Sequence, residues 1–202
     1  MKMKLTSLMI ALCISMATTA CGKTYTGKII DADTKEPIEG AVVVASWLEE
    51  TTTVSATHTR LKDVKEALTD KNGEWVVEGP RGSEGGNITV IFSLLTGTYY
   101  TLPPEFIIFK PGYCSWPKGL LIEACRKKIK YKGNGDFAGW ALELPKLIKR
   151  EDRLMALPTC FSGDTKDRDQ IIRKQKKFIS LINEESRTLG ISEYKVLEEV
   201  SK

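Results

Sequence analysis

The stretch Gly40-Ala41-Val42-Val43-Val44-Ala45-Ser46-Trp47-Leu48 decides the fold class. Ala41 to Ala45 is continuously apolar, with neither the 3.6-residue spacing of an amphipathic helix nor the alternation of a strand wet on one face. Its β-branched valines favour extended backbone, so it is predicted to be a strand covered on both sides. Upstream, Thr24 to Ile30 reads as a first strand, and Asp31 to Ile38, with Pro37, as a turn region. Downstream, the polar, Thr-rich segment Thr51 to Lys65 reads as an excursion from the sheet. Glu66 to Asp70 and Glu74 to Glu78 flank Lys71-Asn72-Gly73. Asn-Gly supplies the positive backbone angles of a tight turn, and the pair reads as a hairpin.

Further along, Gly79 to Asn87 is a glycine-rich excursion, and Ile88 to Leu95, Glu105 to Phe109, Leu120 to Lys132 and Ala141 to Leu147 read as further strands. Short strands at this spacing predict a mainly β chain folded as an antiparallel sandwich over residues 21–147. After Pro145 the texture changes. Lys149 to Leu157 reads as a short helix stopped by Pro158, and Asp167 to Leu189 as a longer one. In the latter, Ile171, Ile172, Gln175, Phe178, Ile179, Ile182 and Leu189 form a stripe at helical spacing, ended by Gly190. Ser192 is placed to cap a last helix through Val200. Residues 148–202 thus form a C-terminal α-helical extension whose stripe is expected to pack on the sandwich.

The composition, 202 residues with 42% hydrophobic and 28% charged, is that of a globular chain. Part of it belongs to a targeting segment, residues 1–20. Lys2 and Lys4 precede an uncharged apolar run from Leu5 to Ala17, and small residues follow to Ala20, the order of a secretory signal. The run is shorter than the roughly 18 residues a permanent membrane span needs. Cys21 after Ala20 resembles the lipobox of bacterial lipoproteins, although Thr18 stands where that motif usually has Leu. The resemblance implies lipidation of Cys21 and, with Gly22 next, a place on the periplasmic face of the outer membrane. Cleavage by the ordinary signal peptidase, leaving a free exported protein, is the alternative.

Without residues 1–20, the formal charge falls from +4 to about +2 and Cys13 is lost. Residues 21–109 carry eight cations against thirteen acids, whereas residues 110–132 carry seven against one. If Arg126-Lys127-Lys128-Ile129-Lys130-Tyr131-Lys132 is a strand, Arg126, Lys128, Lys130 and Lys132 share one face. That face suits contact with an anionic lipid surface, or a solvated edge kept from pairing by its lysines. Export argues against a nucleic-acid partner.

With Cys21 acylated, Cys114, Cys125 and Cys160 remain, which in an oxidising compartment suggests one bridge and one thiol. Cys114 with Cys125, around a short loop holding Pro117 and Gly119, is the first choice. The chain has one histidine and no C-x-x-C, so no zinc site and no cofactor is predicted. His58, among threonines, is the only side chain suited to act as an imidazole base, and no nucleophile motif accompanies it. Asp31 with Asp33, and Asp70 with Glu74, could ligate calcium, but turn formation accounts for both pairs.

Gly27-Lys28-Ile29-Ile30-Asp31-Ala32-Asp33-Thr34-Lys35-Glu36-Pro37-Ile38-Glu39-Gly40-Ala41-Val42-Val43 resembles the opening hairpin of the carboxypeptidase regulatory-like domains. Thr69-Asp70-Lys71-Asn72-Gly73-Glu74-Trp75 resembles their next hairpin, and Phe109-Lys110-Pro111-Gly112-Tyr113 the strand end that follows. The three motifs, in order, cover roughly residues 24–115. The resemblance implies a seven-stranded transthyretin-like sandwich of the prealbumin type and carries no catalytic residue with it. The expectation is an exported, lipid-anchored, non-catalytic binding or structural module of the bacterial envelope. Its partner would be an envelope protein or anionic lipid, in an oligomeric state the sequence leaves open. Two alternatives remain: a small periplasmic hydrolase using His58, and a transthyretin-like carrier of a small ligand.

Overall fold

The computed structural model describes residues 22–53, 55–81, 87–133, 139–160 and 168–193. The targeting segment, Cys21 and the helix expected over 192–200 lie outside them, apart from Ser192 itself, which is not helical. The chain is mainly β, with eight strands among the described residues. These are β1 (Thr24–Asp31), β2 (Val42–Thr52), β3 (Thr57–Leu68), β4 (Glu74–Glu78), β5 (Tyr100–Thr101), β6 (Glu105–Phe109), β7 (Lys130–Lys132) and β8 (Trp140–Leu144). The helices are α1 (Asn87–Thr96), α2 (Glu123–Arg126), α3 (Arg150–Ala156), α4 (Arg168–Arg173) and α5 (Lys176–Leu189), with a 3-10 turn at Lys118–Leu121.

One sheet runs β4-β1-β8-β7; in the other, β2 lies between β3 on one edge and β5 and β6 on the other. β1 pairs with β8 in parallel, so the first sheet is mixed, whereas the second is antiparallel throughout. The inner faces share one core: Tyr25, Ile29, Trp75, Trp140 and Leu142 from the first sheet meet Val43, Ala45, Trp47, Phe106 and Ile108 from the second. Val42 and Val44 point the other way, into a second cluster with Phe109, Phe178 and Ile182. The continuous apolar run of β2 is therefore covered on both faces, as its composition requires. Ile171, Ile172, Gln175, Phe178, Ile179, Ile182 and Leu189 are all buried. The helical stripe is core, interrupted at Lys174-Gln175 where the expected single helix divides into α4 and α5.

Four local expectations are corrected. Thr51 to Lys65 is no excursion: β2 and β3 continue as one long antiparallel ladder from Val42↔Leu68 to Thr52↔Thr57. The threonines there extend a sheet whose outer end is solvated, which a polar composition does not forbid. Asp70 to Gly73 forms the expected turn, with Gly73 at φ +74° and its amide on the Asp70 carbonyl. It nevertheless turns a corner between the sheets, since β4 pairs with β1. Ile88 to Leu95 is helical, and Leu120 to Lys132 is a 3-10 turn, a helical turn and only then β7. In that last segment the disulfide loop sets the path and overrides local propensity.

Candidate functional site

Cys114 and Cys125 form a disulfide, both fully buried. It folds residues 115–124 into a compact loop around Gly119, where an added Cβ would lie 3.4 Å from the Cβ of each cysteine and 2.9 Å from Ile129 Cδ1. The loop is held to β6 by reciprocal backbone bonds: the Ile108 amide donates to the Trp116 carbonyl, and the Trp116 amide to that of Ile108. Trp116 thereby extends a string of rings through the core. Its centroid lies 5.4 Å from that of Trp140 and 5.2 Å from that of Tyr131.

Between this loop, β6 and the chain after α3 lies a cleft of about 840 Å³. Phe106, Trp116, Pro117, Leu120, Leu121 and Pro158 form most of its wall. Leu121, on the rim, is 87% exposed. Two charged residues, Glu105 and Lys118, line the cleft. The Lys118 ammonium donates to the Leu157 carbonyl, and the Ser115 hydroxyl donates to that of Ala156 at 2.6 Å. These bonds tie the loop to the far wall, and the cleft is mostly apolar and open along one side. Such a surface suits an apolar occupant that leaves the exposed Glu105 at its margin.

The sequence-predicted residues are elsewhere. Arg126 ends α2, Lys128 sits in the following turn, and only Lys130 and Lys132 belong to a strand. The four cations therefore do not form one strand face. Lys128 pairs with Asp33 at 2.9 Å, and Lys130 and Lys132 add to the effect of Lys35, which holds the Glu143 carboxyl below its usual range. His58 lies exposed on β3 opposite Thr51. No hydrogen bond or ion pair engages its imidazole among the described residues.

Asp31 Oδ1 accepts the amides of Asp33 and Thr34 at 2.8 and 3.0 Å, and Asp70 Oδ1 those of Asn72 and Glu74 at 2.9 Å. Both aspartates serve their turns, and no cluster of three or more His, Cys, Asp or Glu suited to a metal occurs among the described residues. Cys160 is the free thiol among the described residues; burial pushes it up to about 11. The cleft walls went unread in the sequence. Their signal is the Trp116-Pro117 pair, in the loop between Cys114 and Cys125, and Leu121, in the stretch Leu120 to Lys132 that reads as a strand.

No family model matches the chain, and no curated protein does. Among solved structures, it is similar to 3-chlorocatechol 1,2-dioxygenase from Rhodococcus opacus 1CP, at 14% identity and a TM-score of 0.31. The match covers 64% of this chain and 62% of the dioxygenase, and at that TM-score it carries no argument about fold or activity.

Proposed function

We propose that the chain is an exported, lipid-anchored binding module of the bacterial envelope, with a transthyretin-like sandwich of the carboxypeptidase regulatory-like type as scaffold and no reaction of its own. Cys21 carries the anchor, and the cleft beside the disulfide loop receives an apolar segment of an envelope partner. The observation that carries this reading is the cleft wall: aromatic, aliphatic and proline side chains converge there, and its one ammonium group is held by a backbone carbonyl. Two sequence motifs, the secretory leader and the lipobox-like cysteine, support the location.

Two measurements test it. Mass spectrometry of the mature amino terminus should find a diacylated or triacylated Cys21; an unmodified terminus overturns the anchor. A photoreactive residue at position 121, in intact cells, should give one discrete adduct with a second protein that is lost on Trp116→Ala. A control at exposed Ile148 should give none, and equal labelling at both positions overturns the cleft as a docking site.

A further inference from the structure

α1 is inside out for a water-soluble helix. Its sequence, Asn-Ile-Thr-Val-Ile-Phe-Ser-Leu-Leu-Thr, carries no charge. Helical spacing puts Thr89, Ser93 and Thr96 on one side and Val90, Ile91, Phe92, Leu94 and Leu95 around an arc of roughly 200°. On the polar side, Ser93 faces the protein: it is 1% exposed and its hydroxyl accepts the Thr52 amide at 3.1 Å, whereas Thr96, at the helix end, is exposed. The apolar arc faces outward, with Ile91 61%, Phe92 58% and Leu95 78% exposed. Gly97, at φ +68°, ends the helix. Tyr99 follows, with the Arg60 guanidinium 4.0 Å above its ring. An aromatic ring and a cation at the edge of an apolar surface suit the boundary between acyl chains and headgroups.

The position of α1 identifies its occupant. Thr24, the first residue of β1, pairs with Glu78, and the Gly79 amide donates to the Lys23 carbonyl at 2.8 Å. An added Cβ on Gly79 would lie 3.6 Å from the Trp47 ring. From Trp47, β2 runs on to Thr51 and Thr52, the residues against which Ser93 packs. The chain leading back to Cys21 therefore leaves the fold at the pole that carries α1. Among the described acidic residues of this pole, Glu49 is engaged by Arg60 and Lys62 and Glu50 by the Tyr100 hydroxyl, while Glu78 is exposed.

We infer that α1 seats this pole in a phospholipid bilayer, its apolar arc inserted at the level of the headgroup and acyl boundary, parallel to the surface and beside the acylated Cys21. A convex arc wider than half the helix suits a fluid that surrounds it better than a protein groove that covers one side. At ten residues α1 is too short to cross. The inference rests on the proposed anchor for its orientation, and the experiment separates the two.

The mature full-length protein, with Cys160→Ser, is labelled through Leu95→Cys with an environment-sensitive fluorophore. It is then mixed with vesicles of phosphatidylethanolamine and phosphatidylglycerol. The expected result is a blue shift of the label and several-fold stronger quenching by lipid-borne nitroxides than for the same label at Leu121→Cys. A water-exposed label at 95 on protein held to vesicles by acylated Cys21 overturns the insertion and leaves the anchor standing. If the terminus proves unmodified, the anchor is removed, and a lipid-buried label at 95 on Cys21→Ser protein, in which only position 95 takes the fluorophore, supports the insertion. A label already dry before vesicles are added, in a dimer or under a retained leader, overturns the bilayer as occupant.

Discussion

Arg153 on α3 grips Glu185 on α5 with two prongs: Nε to Oε1 at 2.7 Å and Nη2 to Oε2 at 2.6 Å. Glu185 is 2% exposed, and its Oε2 also accepts the Gly112 amide at 3.2 Å. One carboxylate thus ties the helical extension to the loop after β6, and it also holds the Arg153 guanidinium above its ordinary range. Removing Arg153 strands the Glu185 carboxylate away from water, since Glu185 is the buried partner. Arg153→Ala should cost about 3 kcal/mol of stability, read by chemical denaturation, and Arg153→Met with Glu185→Met markedly less. Equal losses would show that the pair holds nothing together.

The Cys114–Cys125 bridge closes a short loop, and its sulfurs lie in the core. Replacing both with Ala should cost about 2–4 kcal/mol. It should also loosen the Trp116 wall of the cleft more than the sheets. Hydrogen exchange should show new exposure at 115–124 before any at β2; the opposite order refutes the assignment of the bridge to the cleft.

Acid sensitivity should have a local origin at Asp31. Burial would raise its carboxyl, but the amides of Thr34 and Asp33, with the Tyr113 hydroxyl and Lys146, more than offset this and lower it. A depressed carboxyl adds stability above its unfolded value that is lost as pH falls through the folded one. Asp31→Asn should therefore flatten the fall in stability below about pH 4. An unchanged slope would place the acid sensitivity in Glu49 or Glu143, which are also lowered.

Cys160, pushed up to about 11 and packed at the edge of the second core, should resist alkylation. At neutral pH its labelling should be slower than that of the unfolded chain by about two decades. Fast native labelling would mean that the chain around Cys160 opens readily.

Gly27 lies between Trp75 and Trp140. An added Cβ would sit 2.5 Å from the Trp140 carbonyl oxygen and 2.7 Å from the Trp75 ring. Gly27→Ala should destabilise by about 2–3 kcal/mol, seen as a lower thermal midpoint. An unchanged midpoint would mean that the tryptophan packing yields easily.

The sequence carried the fold wherever burial decides. The valine run of β2, the Asn72-Gly73 turn, the stripe from Ile171 to Leu189 and the 114–125 disulfide were all readable, because each pairs a local pattern with a single physical need. It failed where partners decide. Nothing local distinguishes Ile88 to Leu95 from a buried strand, since its apolar residues lack strand alternation but match no inward helical face either. Thr51 to Lys65 is strand because β2 and β3 template each other, which composition does not reveal. The cleft was hidden for the same reason: its walls come from three separated segments, around residues 105, 118 and 158, joined only by the fold.

The parallel pairing of β1 with β8 joins Gly27 to Trp140 and Asp31 to Leu144. A chain emerging amino end first, from a ribosome or through a translocation pore, presents β1 more than a hundred residues before β8 exists. In that interval β4 is the neighbour in its own sheet already present. The second sheet, by contrast, is complete by Phe109. Assembly is thus ordered by direction of delivery, and the amino-terminal strand stays open to holding factors on one edge until nearly three quarters of the chain has arrived.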